Sequence, residues 1–325
     1  MRSSIPRLLA ASRAARVSLG APAATPAPSS GAACSGAPVG AGNASLQPVR
    51  YHIFAEPLPY PVGLRLQQRV IDARLAARKD DPKAGRQDVL FLLEHTPTYT
   101  TGRRDNTPNP DELHPEEKKV QNVGAEFFIT KRGGQVTYHG PGQLVGYPLL
   151  DLNAMETPTR CYVEYLQALL GEYASSLGLA VHAPHPDGHV GVFSSTTEKV
   201  ASIGIHLRHR ITSHGFSLNV TPEPKAWFDL VTACGLDDVH AVGLTELLER
   251  EGRPADLTVR GVAEALVPRF AETYQREFLP LALEGDDEVR GIQQIVAETE
   301  REAKEINAKA GGWLSKPDVS RQAAA

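Results

Sequence analysis

The sequence is poor in the features that mark several large classes of protein. Only three cysteines occur among its 325 residues, Cys34, Cys161 and Cys234, and they form no paired spacing. Neither a disulfide framework nor a cysteine zinc site is therefore suggested. No apolar run approaches the roughly 18 residues that span a bilayer, so no membrane association is predicted. The net charge of −4 leaves no basic footprint, so no nucleic-acid partner is predicted either.

Acidic residues are missing from the start of the chain, where the first 55 positions contain no Asp or Glu. Arginines are interspersed there with Ser, Ala and Leu, at Arg2, Arg7, Arg13 and Arg16. This composition is typical of an organelle-targeting presequence, and no long apolar block follows that would indicate a secretory signal. We predict a mitochondrial presequence and disordered linker over residues 1–47, and a location in the mitochondrial matrix. The alternative is a terminus that is merely disordered.

The rest of the chain has the character of an ordinary globular protein, with 41% hydrophobic and 22% charged residues overall. We expect a catalytic domain over residues 48–285 and a charged C-terminal extension, helical or disordered, over 286–325. Because no motif anchors this extension, we expect it to be dispensable.

Hydrophobic periodicity predicts the main elements of the domain. Helices are predicted near residues 64–77, 157–177, 245–250 and 262–278, the last interrupted or kinked at Pro268. Strands are predicted at 89–93, 127–130, 144–150, 199–207 and 211–220. The short basic link 208–210 between the last two strands predicts a hairpin. Residues 95–102 are predicted as a loop.

The densest cluster of glycines lies in Arg132–Gln143, which reads RGGQVTYHGPGQ and is flanked by two apolar runs. A glycine-dense turn between two strands costs conformational entropy and adds nothing to the core. Glycines in such a place indicate that another group comes close to the backbone. We therefore expect the remainder of the chain to bring chemistry to this segment.

Two reactive side chains have both a structural and a functional interpretation. Lys199 opens a mostly apolar strand, which is unusual for packing, although a strand-end lysine can pack its stem and extend its amine into water. Cys234 precedes a glycine, and the pattern alone favours a buried structural cysteine. The pattern alone leaves a functional role for each of the two side chains open.

Three histidines, His182, His185 and His189, have a spacing that can bind metal. No cysteine or well-placed carboxylate completes the set. We therefore interpret the segment as a Pro/Gly loop and predict no metal site.

Several segments occur together in an order that resembles the lipoyl(octanoyl) transferases. They are residues 93–100 (LEHTPTYT), 132–143, 199–204 (KVASIG), 212–216 (TSHGF), 218–220 (LNV) and 233–236 (ACGL). The resemblance covers about Tyr51 to Phe278. It implies an α/β (α+β) fold, a mixed sheet with flanking helices, in a catalytic domain like those of biotin and lipoate ligases.

The resemblance also implies an activity, the transfer of an octanoyl chain from octanoyl-acyl carrier protein to a lysine of a lipoyl domain. The implied acceptors are the lipoyl domains of 2-oxoacid dehydrogenase E2 subunits and the glycine cleavage H protein, and the reaction is the first step of endogenous protein lipoylation. No cofactor is implied, and nothing demands more than a monomer. The implied catalytic pair is Cys234 and Lys199, with Cys234 forming an acyl thioester. The implied substrate-binding residues are Arg132, Gly133, Gly134, Gln135, Val136, Thr137, Tyr138, His139, Ser202, Ile203, Gly204, Gly215, Phe216 and Ser217.

Two positions depart from the family pattern. Ser217 stands where alanine is more frequent, and His206 stands where arginine is frequent. Two other classes of function stay open. One is an ATP-dependent lipoate or biotin protein ligase on the same fold, in which Cys234 has no role. The other is a lipoyl-domain binder without turnover.

Overall fold

A computed structural model describes residues 34, 46–81, 83–105, 112–232, 238–282 and 287–320. The chain divides into two compact units, Met1–Ser35 and Gly36–Ala325, and the second contains all the elements below. Cys234 and nearly all of the predicted presequence lie outside the described residues.

The larger sheet is mixed, and its strands run in the order β10-β8-β9-β6-β2-β1-β11, with β7 paired to β8. Its strands are β1 (Val49–Ile53), β2 (Val89–Leu93), β6 (Gln143–Leu149), β7 (Val192–Phe193), β8 (Glu198–Arg208), β9 (Ile211–Asn219), β10 (His240–Ala241) and β11 (Phe278–Pro280). A smaller sheet has the order β4-β3-β5, formed by β4 (Glu126–Ile129), β3 (Thr98–Thr101) and β5 (Thr137–His139).

Helices cover both faces of the larger sheet. They are α1 (Tyr60–Asp80), α2 (Pro115–Lys119), α3 (Thr159–Ser176), α4 (Glu223–Phe228), α5 (Leu244–Arg250), α6 (Val259–Tyr274) and α7 (Asp287–Ala310). Strand β2 is buried at every position because it lies between two helical layers. Its alternate side chains Leu90 and Leu92 pack with α3 and α6, whereas Val89, Phe91 and Leu93 pack with α1 and α7.

Most of the predicted elements are confirmed, including the hairpin of β8 and β9, which turns at His209 and Arg210 with positive φ at both. Two expectations are wrong. Residues 98–101, predicted as loop, form β3, because a short polar strand shows no apolar alternation in the sequence. Cys161, in the first turn of α3, is disulfide-bonded, although the cysteine spacing suggested no disulfide framework. Pro268 lies inside α6 without interrupting it, so of the two predicted effects only a kink stays a prediction.

The C-terminal extension contains α7, which packs along α1. Its buried side chains, Val289, Ile292, Val296, Thr299 and Ala303, recur at helical spacing. Ion pairs join the two helices beside this seam, between Arg65 and Glu302 and between Arg69 and Glu298. These contacts argue against dispensability, since removal of α7 would expose the apolar face of α1.

We expect Val296→Asp to lower the free energy of unfolding by about 3 kcal/mol, because it places a carboxylate in an apolar seam. The same aspartate at exposed Lys304, on the same helix, should change it by less than about 0.5 kcal/mol. Urea denaturation measures both. Equal stability of the two variants would mean that α7 contributes nothing to the folded domain.

Candidate active site

An open cleft lies between the glycine-rich segment and the β8–β9 hairpin. Its space amounts to about 500 Å³, including solvent at its mouth. The glycine-rich segment contributes Arg132, Gly133, Gly134, Gln135, Thr137 and His139. Strands β8 and β9 contribute Lys199, Ser202, Ile203, Gly204, His214, Gly215, Phe216 and Ser217. Residues more than 60 positions apart in the sequence thus form one cavity.

The cleft forms because backbones pack directly against one another. The Gly133 N–H donates to the carbonyl of Ile205 at 2.9 Å, which lays the glycine-rich segment across β8. A Cβ at Gly204 would lie 2.9 Å from the Gly133 oxygen, and one at Gly102 would lie 2.4 Å from the Gly134 oxygen. Side chains at these positions would push the segment away from the sheet. At these positions, the group that comes close to the glycine backbone is therefore another segment of the same backbone.

Arg132 holds the glycine-rich segment from within. Its guanidinium donates to the Thr100 carbonyl at 2.6 Å, to the Gln135 carbonyl at 2.8 Å and to the Gly133 carbonyl at 3.0 Å. The side chain lines the cleft and is only 6% exposed. The three carbonyl acceptors belong to the segment itself and to β3. Arg132 therefore fixes the shape of the cleft wall and also gives it a positive charge.

Strand β5 separates the predicted site residues into two groups. Successive side chains of a strand point to opposite faces, so Thr137 and His139 line the cleft. Val136 and Tyr138 are fully buried and do not line it. Tyr138 instead stacks on Trp227, with ring centroids 5.1 Å apart. The structure therefore places Val136 and Tyr138 behind the wall of the cleft, whereas the resemblance implied that they contact substrate.

Neutral histidines surround the inner end of the cleft. Burial lowers the pKa of His95 to about 4 and that of His214 to about 3, and burial together with neighbouring His95 and Arg132 holds the pKa of His139 well below its usual value. The His95 Nδ1–H donates to the Leu58 carbonyl at 2.7 Å, so its Nε2 accepts from the Tyr147 hydroxyl. The inner wall is thus uncharged at neutral pH except for Arg132.

A hydrogen-bonded chain of side chains connects His139 to the strand that carries Lys199. The His139 Nδ1–H donates to the Gln143 side-chain oxygen at 2.8 Å. Gln143 donates to the Asn219 side-chain oxygen at 2.9 Å, and Asn219 donates to the Lys199 carbonyl at 3.4 Å. These bonds fix the tautomer of His139 with its proton on Nδ1. They favour the interpretation of His139 as an organiser of the site rather than a proton carrier.

Lys199 lies where the cleft meets a second, smaller cavity. That cavity is lined by Lys199, Ser202, Asn219, Phe228, Val239, His240 and Ala241. The Lys199 ammonium lies 5.2 Å from the centroid of the Phe193 ring. Strand β10 pairs with β8 so that Ala241 is the partner of Lys199. The chain that follows residues 233–237 therefore returns to the backbone of Lys199.

Three residues that the sequence patterns did not indicate complete the cleft. Tyr60, Val145 and Tyr147 also line it, and Tyr60 stacks parallel to His139 at 6.2 Å. Tyr60 begins α1 and the other two lie on β6, where apolar and aromatic patterns are indistinguishable from core. Among the described residues, no group of three or more His, Cys, Asp or Glu side chains could hold a metal. Within the same residues, no helix has the length and apolar character needed to cross a bilayer.

We expect Gly204→Ala to lower the octanoyl transfer that the sequence resemblance implies by roughly 10- to 100-fold, because the new methyl group displaces the Gly133 carbonyl and misplaces the cleft wall. Gly291→Ala is the matched control, since a Cβ there meets nothing within 4 Å. Steady-state transfer assays compare the two variants. Wild-type activity in Gly204→Ala would contradict the proposed dependence on backbone contact.

We also expect stability to fall as the pH drops below about 6.5, the ordinary histidine pKa. In the unfolded chain, His95, His139 and His214 then bind protons. In the folded chain they stay neutral, because their pKa values are lowered. Each histidine contributes a slope of about 1.4 kcal/mol per pH unit until the pH reaches its folded pKa. Urea titrations between neutral pH and the folded pKa of about 4 for His95 measure this slope.

His214→Asn should remove one histidine's share of that slope, because asparagine tolerates the positive φ of 55° at this position. His209→Asn is the matched control, since His209 also has a positive φ, of 49°, but is exposed. Identical slopes in the two variants would show that His214 is not held neutral by the fold.

The fold is shared with known proteins. Residues 60–271 match the family model described as the lipoyl protein ligase A/B catalytic domain. The structure of the T. acidophilum protein Ta0514 with bound lipoic acid superposes with a TM-score of 0.52. It covers 78% of this chain and 95% of that one at 13% identity, which supports the fold alone. The larger unit is thus an α/β catalytic domain of the lipoyl ligase type.

The sequence relatives identify the kind of enzyme within this family. An octanoyltransferase of Acidobacterium capsulatum is 35% identical over 239 residues, which are 70% of this chain and 91% of the relative. The mitochondrial octanoyl-acyl-carrier-protein:protein N-octanoyltransferase LIPT2 of Danio rerio is 33% identical over 68% of this chain and 88% of its own. The chain therefore belongs to the lipoyl protein ligase A/B catalytic domain family and, within it, to the octanoyltransferases, which are acyltransferases.

Proposed function

We propose that the protein transfers an octanoyl group from octanoyl-acyl carrier protein to a lysine of lipoyl domains through a thioester on Cys234, the first step of endogenous protein lipoylation. The observation that carries this proposal is the convergence of Lys199 and the glycine-rich segment on one cleft. The name of the Danio rerio relative states an octanoyl-acyl carrier protein donor and a protein acceptor. Cys234 itself lies outside the described residues.

The first step replaces one thioester by another. The Cys234 thiolate attacks the octanoyl carbonyl, a new C–S bond forms, and the bond to the carrier sulfur breaks. The carrier thiolate takes up the proton that the cysteine lost. Because a free cysteine is only a few per cent thiolate at neutral pH, a neighbouring lysine assists, either as an ammonium that favours the thiolate or as a neutral base. Lys199 is the lysine on the cleft wall.

The second step forms the product amide. The amine of the acceptor lysine attacks the Cys234 thioester, the C–N bond forms and the C–S bond breaks. The amine loses a proton, for which Lys199 is the proposed base. Thioester exchange is nearly isoenergetic and amide formation is downhill, so the sequence of steps requires no ATP.

Both steps develop negative charge on the carbonyl oxygen, which backbone N–H groups can stabilise. The Gly133 N–H is already bonded to Ile205. Gly140 does not line the cleft, whereas Gly134 does. Of Gly133, Gly134 and Gly140, Gly134 is therefore the favoured donor. Its φ of +92° is one that other residues rarely adopt.

The proposal extends to acceptors, assembly and location. The acceptors are the lipoyl domains of 2-oxoacid dehydrogenase E2 subunits and the glycine cleavage H protein, and the enzyme acts as a monomer. Its location is the mitochondrial matrix. The composition of the first 55 residues and the mitochondrial names of relatives from Danio rerio and Arabidopsis thaliana support this location.

An intact-mass assay tests the reaction. Incubation with octanoyl-carrier protein should add one octanoyl mass to the wild-type enzyme, and Cys234→Ala should abolish this adduct. Lys199→Met should lower transfer by about 100- to 10,000-fold, the usual contribution of a positioned acid–base group. Lys225→Met is the control, because Lys225 is a neighbouring lysine that does not line the cleft. An octanoyl adduct that persists in Cys234→Ala would refute the thioester on Cys234.

The same assay separates the alternatives when it is run with and without ATP. Transfer that requires free octanoate and ATP would identify a ligase, the runner-up on this fold. Binding of a lipoyl domain without any transfer would identify a non-catalytic binder.

A further inference from the structure

The chain continues beyond α7 as a strap, residues 311–320, that crosses to the small sheet. The family match ends at residue 271, so the strap lies outside it. The Asp318 N–H donates to the Val123 carbonyl at 2.9 Å. The Leu314 side chain packs on Gly124, where a Cβ would lie 2.4 Å from its Cδ1. Most of the strap is exposed, so it lies on the surface, in contact with the residues that precede β4.

The strap also contacts a fully buried tryptophan of α4. The Trp227 indole N–H donates to the Ser315 carbonyl at 3.3 Å. This bond matters because Trp227 is 0% exposed, and a buried indole N–H without an acceptor costs free energy. The strap therefore supplies the acceptor that allows the ring to be buried here.

Trp227 connects the strap to the glycine-rich segment. Its ring stacks on Tyr138 at 5.1 Å with an interplanar angle of 8°. Tyr138 lies on β5 between Thr137 and His139, both of which line the cleft. The Trp227 carbonyl accepts from the Tyr99 hydroxyl at 2.7 Å, which joins it to β3 as well.

The neighbouring residue of α4 reaches the other side of the site. Phe228 lines the small cavity that also contains Lys199 and Ser202. Its ring packs edge-on against Tyr138 at 5.8 Å. A displacement of α4 would therefore move both the support of β5 and the surroundings of Lys199.

From these contacts we infer that the strap positions the active site through Trp227. Ser315 fixes the indole, the indole supports Tyr138, and Tyr138 sets the strand that presents Thr137 and His139 to the cleft. Trp227 is thus a positioning residue, and residues 311–320 are a functional part of the enzyme. The inference rests on the proposed function for its catalytic readout only.

Three variants test the inference in the otherwise complete chain. The first ends at Ala310 and so keeps α7, the second is Trp227→Phe, which keeps an aromatic ring without the N–H donor, and the third combines them. We expect the first two each to slow octanoylation of Cys234 about tenfold in a single-turnover intact-mass assay, the effect of one hydrogen bond. The combined variant should be no slower than either, because both changes remove the same contact.

Trp313→Phe is the matched control. Trp313 is the strap's own tryptophan, and its indole N–H donates at 3.2 Å to Asn307 of α7, away from the cleft. This variant should octanoylate at the wild-type rate. Thermal unfolding identifies any variant that loses rate because it is partly unfolded at the assay temperature, and the assay is then repeated at a temperature where that variant is folded.

Alkylation of Cys234 by iodoacetamide keeps the two proposals distinguishable, because it reports on the site without any octanoyl donor. Absence of an octanoyl adduct in the wild-type enzyme would refute the proposed function. A changed alkylation rate in Trp227→Phe and in the shortened chain, but not in Trp313→Phe, would still support the strap. Wild-type octanoylation by the folded shortened chain, or additive effects of the two changes, would overturn the inference.

Discussion

The active site depends on the contact between two stretches of backbone, the glycine-rich segment and strand β8. The single hydrogen bond from Gly133 to Ile205 defines their distance, and Gly204 permits it by having no side chain. Arg132 then holds the segment in this position through carbonyls at Thr100, Gly133 and Gln135. The cleft formed in this way has glycine backbone on one side and apolar and aromatic side chains such as Val145, Ile203 and Phe216 on the others, which suits an acyl chain with one reactive carbonyl.

The electrostatics of the cleft follow from burial. Three histidines lie around its inner end, and the fold keeps each one neutral because a charged imidazole would lose its hydration there. His95 is hydrogen-bonded to Leu58 and Tyr147, and His139 is hydrogen-bonded to Gln143, so these two histidines organise neighbouring groups. The polar chain from His139 through Gln143 and Asn219 ends at the backbone of Lys199. Proton movement is thereby left to the proposed lysine and cysteine.

The domain that supports this site is joined across long sequence distances. Asp88, which is 1% exposed, accepts from both Arg74 of α1 and Arg276 after α6. This buried cluster unites both helical layers at the start of β2, and loss of its carboxylate would leave two buried cations without a counter-charge. Helix α7 and the strap continue the same arrangement, since they connect α1 to Trp227 behind the cleft wall.

Local patterns in the sequence were sufficient for helices α1, α3 and α6, for strands such as β2 and β6, and for the hairpin of β8 and β9. Each of these has apolar residues at the spacing that burial of one or both faces requires. The glycines of residues 132–143 likewise indicated a close approach. Strand β3 was not predicted because its four residues, Thr98–Thr101, are polar or aromatic and show no apolar alternation. They are buried as the central strand of the small sheet.

Only the tertiary structure decided which residues meet. Alternation along β5 sends Thr137 and His139 to the cleft and Val136 and Tyr138 behind it, and the direction of that alternation depends on the partner strand β3. Tyr60 and Tyr147 join the site from elements that read as core in the sequence. The apolar stripe of α7 is thin, with charged or polar residues at most positions, so its burial became evident only against α1. Sequence determines the local conformation and which side chains are buried. The packing of distant segments determines which neighbours those side chains contact.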